Sequence, residues 1–120
     1  MRVAVTTLGE DLDSEVDPRF GRAKQFIIVD METMSYDLVS NTQSLNLPQG
    51  AGIQAAQNIL PFKPKALLTG NCGPKAFKVL QAAGIEVVVG VKGKIRDVLK
   101  AYAENRYEPA RDPNVEGHWV

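Results

Sequence analysis

Two short apolar runs in the second half of the chain constrain its fold more than any other feature. The runs, residues 65–69 (KALLT) and 85–89 (IEVVV), have the length of buried strands. Each precedes a segment with apolar side chains at helical spacing, residues 74–83 and 95–102. Strand–helix units of this kind connect parallel strands by right-handed crossovers. The second half therefore predicts part of a parallel sheet.

The first half of the chain has three further strand-like runs and one helical pattern. The runs are residues 2–8, 25–30 and 36–40. A turn near Thr33 predicts a hairpin between the last two runs. Apolar spacing predicts a helix over residues 53–60, which Pro61 ends.

The predicted element order is therefore β-β-β-α-β-α-β-α. A meander followed by crossovers gives an α/β fold, with a mixed five-stranded sheet between two helical layers. This three-layer α/β/α order is that of the ribonuclease H-like topology, in which the second strand is antiparallel to the others.

The composition is that of an ordinary globular domain. The chain has 120 residues, of which 44% are hydrophobic and 23% charged. Basic and acidic residues number 14 each, so net charge does not favour nucleic acid or a membrane as a partner. We predict one domain over residues 1–105 and a C-terminal tail over residues 106–120, where prolines interrupt any periodicity.

One cysteine excludes an internal disulfide and fits a reducing compartment. No run approaches the roughly 20 apolar residues that span a bilayer. The N-terminus also lacks a charged segment followed by an apolar one, as in a secretion signal. These features predict a cytoplasmic protein.

The topology brings four loops to one edge of the sheet, where ligands bind in open α/β folds. They are residues 9–24, 41–52, 70–73 and 90–94. Cys72 lies in the third loop, which we call the cysteine loop (residues 70–73). The start of a helix favours a thiolate, the form that ligates metals or attacks electrophiles. Free cysteine is equally often a small buried hydrophobe, and both interpretations remain open.

The first of these loops contains residues 17–23 (DPRFGRA), which we call the arginine loop. Arg19 and Arg22 form a cationic clamp in one interpretation, and Gly21 permits close approach to an anion. In the other interpretation Phe20 fills the core, and the arginines pair with acidic residues of the same loop.

Two further turns supply amide and glycine groups. Gln49, Gly50 and Gly52 precede a helix whose free N–H groups favour an anion. No Gly-Lys-Ser/Thr sequence follows, so a nucleotide-binding loop has little support. Asn71 and Gly73 flank the cysteine. Together with the arginines, these groups suit an oxyanion or a metal–sulfide cluster.

Enzymatic alternatives have weaker support. A nuclease would need several carboxylates around divalent metals, and Asp30 is an isolated candidate. Cysteine–histidine catalysis would need a nearby base, and the only histidine is His118 in the predicted tail.

The chain resembles the dinitrogenase iron–molybdenum cofactor biosynthesis family, the single-domain type similar to NifX and the C-terminal part of NifB. The matching segments, beside Asn41, are residues 2–5 (RVAV), 17–23 (DPRFGRA), 26–30 (FIIVD), 50–56 (GAGIQAA), 69–76 (TGNCGPKA) and 80–87 (LQAAGIEV). The resemblance implies the ribonuclease H-like fold and the binding of an iron- or molybdenum-containing sulfide cluster, or its precursor, by a carrier without catalytic activity.

Family members often have a histidine before the Gly-Ala-Gly turn, where this chain has Gln49. An amide is a much poorer metal ligand than imidazole. Cys72 is then the only strong soft ligand at the predicted edge, and a second subunit or a cluster-assembly protein could complete the site.

Our leading hypothesis is a non-catalytic carrier for an anionic metal–sulfur species. Cys72 is the metal ligand in this hypothesis. The remaining site residues are Arg19, Arg22, Gln49, Gly50, Gly52, Asn71 and Gly73. The alternative is a regulatory or scaffold module that binds a protein partner, with a vestigial site.

Overall fold

The computed structural model describes residues 1–44 and 50–114. Within them the strands are β1 (Arg2–Thr7), β2 (Gln25–Asp30), β3 (Tyr36–Ser40), β4 (Ala66–Leu68) and β5 (Glu86–Val88). The α-helices are α1 (Ala51–Ile59), α2 (Pro74–Ala82) and α3 (Ile95–Ala103), and a 3₁₀ turn (Leu60–Phe62) follows α1. The predicted order of strands and helices is confirmed.

The described strands form one five-stranded sheet in the order β3-β2-β1-β4-β5. β2 is antiparallel to both neighbours, with Ile28 opposite Ala4 on β1 and Asp37 on β3. β1 pairs in parallel with β4, and β4 with β5. The mixed sheet with an antiparallel second strand is as predicted, so β1, β3, β4 and β5 end at one edge, which we call the carboxyl edge.

Two apolar cores lie on opposite faces of the sheet. Side chains alternate along β1, so Ala4 faces one core while Val3 and Val5 face the other. Helices α1 and α2 cover the first core, with buried residues that include Ala56, Ile59, Phe77 and Leu80. Helix α3 covers the second through Ile95, Val98 and Leu99. The three-layer α/β/α prediction is confirmed.

The ends of the elements differ from the predictions by a few residues. Helix α1 begins at Ala51 because Gly50 is its N-cap, whereas the apolar spacing starts only at Ile53. Helix α2 begins at Pro74, as expected for a residue without an N–H. It ends before Gly84, whose φ of +77° is in the left-handed region that terminates helices.

Residues 107–114, which we call the C-terminal strap, lie against the domain. The Ala110 N–H donates to the Val87 carbonyl at 2.6 Å, which covers part of the β5 edge. Tyr107 packs on one core and Ala110 on the other. The boundary at residue 105 stays a prediction, and the last six residues of the predicted tail, with His118, lie outside the described residues.

Among the residues described, no helix has the length and apolar character needed to cross a membrane.

Candidate functional site

The arginine loop and the cysteine loop meet at the carboxyl edge. The Phe20 N–H donates to the Asn71 carbonyl at 3.1 Å, and Asn71 Nδ2 donates to the Pro18 carbonyl at 2.9 Å. The loop after β5 joins them, because the Gly90 N–H donates to the Gly70 carbonyl at 2.8 Å. The predicted convergence of these loops is present in the structure.

Gly70 makes the contact between the two loops possible. A Cβ atom at this position would lie 2.7 Å from both the Cα and the carbonyl oxygen of Pro18. No L side chain fits at this distance from a backbone. Glycine is therefore needed for close approach and not for an unusual φ.

Buried threonines attach the arginine loop to the strand ends. Thr6 Oγ1 donates to the Asp17 carbonyl at 2.6 Å and lies 2.9 Å from Thr69 Oγ1. The Asp17 carboxylate accepts the Arg19 N–H at 3.0 Å. Both threonines are fully buried, so the two bonds that they make are shielded from water. The loop bearing Arg19 is thus fixed to β1 through Thr6, whose hydroxyl also contacts Thr69 beyond the end of β4.

Arg19 and Arg22 are exposed on either side of a buried aromatic side chain. Phe20 is fully buried and lies 5.6 Å from Phe26, centroid to centroid. No ion pair joins Arg19 to an acidic residue in the part of the chain that the structure describes. The core position of Phe20 is the one that the second interpretation of this loop predicts, whereas the Arg19 guanidinium lies at the surface, as the first interpretation requires.

Asn41 attaches the end of β3 to the arginine loop. Its side-chain amide donates to the carbonyls of Gly21 at 3.1 Å and Ala23 at 2.7 Å. Its Oδ1 accepts from Gln43 and from Asn58 of α1, both at 2.9 Å. In the sequence only the family resemblance points to Asn41, and no pattern predicts this bonding role.

Gly50 and Gly52, which we call the glycine turn, lie at the start of α1, as expected. Gly50 is exposed, whereas Gly52 is buried in the first turn. A Cβ atom at Gly50 would meet no atom of the described residues within 4 Å. Neither α1 nor α2 has a side-chain cap or an acidic residue in its first turn, among the described residues. Gln49 lies outside those residues.

Cys72 is on the predicted loop, but its sulfur faces the core. The residue is fully buried in the cluster that α1 and α2 cover. Desolvation raises the pKa of the thiol from 9.0 to about 12. The expectation of a favoured thiolate is therefore wrong, because burial outweighs the effect of the helix start. The Sγ atom lies 3.7 Å from the Gly73 carbonyl, a weak hydrogen bond.

No group of three or more His, Cys, Asp or Glu side chains suited to a metal ion occurs in residues 1–44 and 50–114. The ligand role of Cys72 stays a prediction. In this conformation the residue contributes to packing.

Asn114, at the end of the C-terminal strap, is bonded to the cysteine loop. Its Oδ1 accepts the Cys72 N–H at 2.8 Å. Its Nδ2 donates to the Gly70 carbonyl at 3.2 Å and to Asn71 Oδ1 at 3.1 Å. Nothing in the sequence predicts this role of Asn114, because no motif or spacing links it to a loop some 40 positions away.

Positive charge extends from the edge along α2. A cavity of about 320 Å³ lies between α2 and the C-terminal strap. Lys75, Lys78 and Arg111 border it, and Asp112 also lines it. Phe77 and two prolines supply apolar surface. The cavity therefore combines an apolar lining with a cationic border.

Comparisons with known proteins identify a matching family and similar structures. A sequence profile described as dinitrogenase iron-molybdenum cofactor matches residues 1–105. The structure resembles the apo form of the orange protein from Desulfovibrio gigas, with 45% identity, 95% of this chain and 96% of that chain covered, and a TM-score of 0.89.

Two further relatives are more distant. A candidate NifB protein of the DUF35 family, from Thermotoga, is 34% identical over 97% of this chain and 98% of its own, with a TM-score of 0.80. An uncharacterised protein of Methanocaldococcus jannaschii is 29% identical over 99 residues, which are 80% of this chain and 83% of that protein.

The profile match includes the arginine loop, the glycine turn and the cysteine loop, and the resemblance noted from these segments is confirmed. The chain belongs to the dinitrogenase iron-molybdenum cofactor family.

Proposed function

We propose that this protein binds and carries an anionic metal–sulfur species, an iron- or molybdenum-containing sulfide cluster or its precursor, without catalysing a reaction on it. One observation carries the proposal. The arginine loop and the cysteine loop are bonded together at the carboxyl edge of a chain that belongs to this family.

The charge of the edge favours an anion. Arg19 and Arg22 are exposed, and the loop between them is anchored by Phe20. The N-termini of α1 and α2 follow Gly50 and Gly73, which place N–H groups and the positive ends of two helix dipoles in this region. Guanidinium groups are weakly hydrated and suit a large anion with delocalised charge.

The buried thiol favours retention by charge and hydrogen bonds over ligation by protein. Cys72 has a raised pKa of about 12, and metals bind the thiolate. We therefore assign Cys72 a packing role in place of the predicted metal ligand. Arg19 and Arg22 hold the anion in this proposal, together with the Gln49, Gly50, Gly52 and Gly73 segments, and Asn71 fixes the arginine loop through its bond to Pro18. Reversible binding of this kind suits a carrier that later releases its ligand.

Anaerobic reconstitution tests the proposal directly. The protein is incubated with iron, sulfide and tetrathiomolybdate, desalted, and examined by visible absorption and metal analysis. We expect retained charge-transfer bands and metal in wild type and in Cys72→Ala, and a large loss in Arg19→Ala/Arg22→Ala. Lys100→Ala, which removes an exposed cation from α3, is the matched control.

Absence of retained bands in wild type would refute cluster binding. Loss in Cys72→Ala, with its fold intact, would restore the cysteine as ligand. An equal loss of bands and metal in Lys100→Ala would show that retention is unspecific attraction between charges.

The exposed edge of the sheet favours a second function, a scaffold that binds a protein partner or a second copy of itself. Strand β3 has no strand on its outer side in the described part of the chain. Tyr36 and Leu38 on it are 40% and 42% exposed. Light scattering after gel filtration should then give a dimer that Leu38→Lys dissociates. A monomer at all concentrations would exclude a second copy as the partner, and this function would then require a different protein.

A further inference from the structure

We propose that Asn114 is a positioning residue for the anion-binding edge, acting on the arginine loop through Asn71. The inference rests on the proposed function, and it concerns a residue beyond the segment that the family profile matches.

The Asn114 carboxamide uses both of its ends on the cysteine loop. The oxygen accepts the Cys72 N–H at 2.8 Å, and the nitrogen donates to the Gly70 carbonyl at 3.2 Å. The Asn114 backbone N–H also donates to the Cys72 carbonyl at 3.3 Å. These three bonds span the loop from Gly70 to Cys72, so Asn114 holds its backbone shape immediately before α2.

The fourth bond sets the orientation of a second carboxamide. Asn114 Nδ2 donates to Asn71 Oδ1 at 3.1 Å, so the Asn71 amide nitrogen points the other way and donates to the Pro18 carbonyl at 2.9 Å. A flipped Asn71 amide would place two donors against each other and two acceptors against each other. Asn114 therefore selects the orientation in which Asn71 holds the residue before Arg19.

The hydrogen-bonded chain from Asn114 through Asn71, which we call the relay, also reaches the backbone of the arginine loop. The Asn71 carbonyl accepts the Phe20 N–H at 3.1 Å, on the other side of Arg19. Asn71 thus bonds to both neighbours of Arg19 in sequence. Loss of the Asn114 amide leaves Asn71 Oδ1 without this donor. The backbone around Arg19 is then held less firmly.

The C-terminal strap brings Asn114 to this position by packing against the sheet and α2. Ala110 bonds to Val87 on β5, and Pro113 borders the cavity beside α2. The preceding strap residues therefore restrict Asn114 before it bonds, which lowers the entropy cost of ordering its side chain.

The test compares Asn114→Ala, Asn71→Ala and the double variant in the full chain. We expect amide hydrogen exchange at Phe20 and Cys72 to accelerate about tenfold or more in Asn114→Ala, as for the loss of one to two hydrogen bonds. Tetrathiomolybdate affinity should fall by about the same factor. If Asn114 acts through Asn71, the double variant loses no more affinity than the more severe single variant.

Glu108→Gln is the matched control, because it changes an exposed residue of the same strap and should alter neither quantity. Asn114→Ser, whose shorter side chain does not reach Asn71, replaces Asn114→Ala if that variant does not fold. Additive losses in the double variant, or unchanged Phe20 exchange in Asn114→Ala, would overturn the proposal.

The two readouts separate this inference from the proposed function. Exchange at Phe20 needs no ligand and tests the relay alone. If wild type retains no tetrathiomolybdate while Phe20 exchange still depends on Asn114, the proposed function fails and the relay stands as a structural one. If wild type and Asn114→Ala bind tetrathiomolybdate equally well, the positioning role is wrong and the proposed function stands.

Discussion

At Cys72 two physical effects act on one thiol in opposite directions. A helix N-terminus stabilises a nearby anion by roughly 0.3–1 kcal/mol. Burial raises the pKa of this thiol from 9.0 to about 12, which corresponds to roughly 4 kcal/mol. Desolvation therefore determines the chemistry of the residue, and the group at the turn is a neutral thiol.

We predict that native Cys72 resists alkylation. Its raised pKa lowers the thiolate fraction at pH 8 by about 1000-fold relative to the unfolded chain, and burial adds a steric barrier. Iodoacetamide labelling, followed by mass spectrometry, should be slow in buffer and fast in concentrated urea. The native rate should rise with pH toward about 12. Rapid native labelling at neutral pH would show instead that the loop opens easily.

At Gly70 the backbones of two loops are in contact, and we predict that Gly70→Ala destabilises the fold. The added methyl would lie 2.7 Å from Pro18 backbone atoms, which cannot rotate away. Urea unfolding should show a loss of roughly 1–3 kcal/mol, the usual cost of overpacking. Gly50→Ala is the control and should lose less than about 1 kcal/mol, because within the part of the chain that the structure describes its methyl meets nothing within 4 Å. Equal losses at both positions would contradict this view of Gly70.

At the scale of elements, the two outer strands of the sheet have different environments. The C-terminal strap covers part of β5 through the Ala110–Val87 hydrogen bond. Strand β3 has four exposed residues and only Val39 partly buried. Its neighbour β2 is buried along its four central residues. The stabilising contribution of a side chain therefore depends on its strand's position in the sheet, even between directly opposite residues.

Ile27 on β2 and Leu38 on β3 are such a pair, because they face each other in the antiparallel register. Ile27 is fully buried and Leu38 is 42% exposed. We predict that Ile27→Ala costs about 3 kcal/mol of unfolding free energy, from lost burial and the cavity left behind. Leu38→Ala should cost less than about 1 kcal/mol. A large effect at Leu38 would imply that a partner covers β3 in solution.

At the scale of the whole molecule, the architecture could be predicted from the sequence and part of the site could not. Alternation of short apolar runs with amphipathic helices leaves few ways to bury both faces of a sheet, and right-handed crossovers then determine which loops converge. The proximity of the arginine and cysteine loops is therefore predictable. The depth of Cys72 is not, because a residue beyond a strand has no periodicity that indicates its orientation.

The bonds of Asn114 were equally beyond prediction. Three of its bonding partners are backbone groups, which have no sequence signature, and the fourth is the side chain of Asn71. Thr6 and Thr69 were also missed, since both fit an ordinary strand pattern and their mutual bond depends on the β1–β4 register.

The carrier proposal also makes a prediction for the stability of the whole fold. The edge joins loops from both halves of the sheet, so an anion bound there should stabilise the native state as one unit. Tetrathiomolybdate at 100 times its dissociation constant should add about 2.7 kcal/mol, or roughly 10 °C in Tm for a domain of this size. Because exposed charges are screened by salt, the shift should shrink as ionic strength rises. Differential scanning calorimetry measures it, with Arg19→Ala/Arg22→Ala showing little shift and Lys100→Ala a normal one. A shift that is independent of salt, or equal in all variants, would contradict retention by charge at the carboxyl edge.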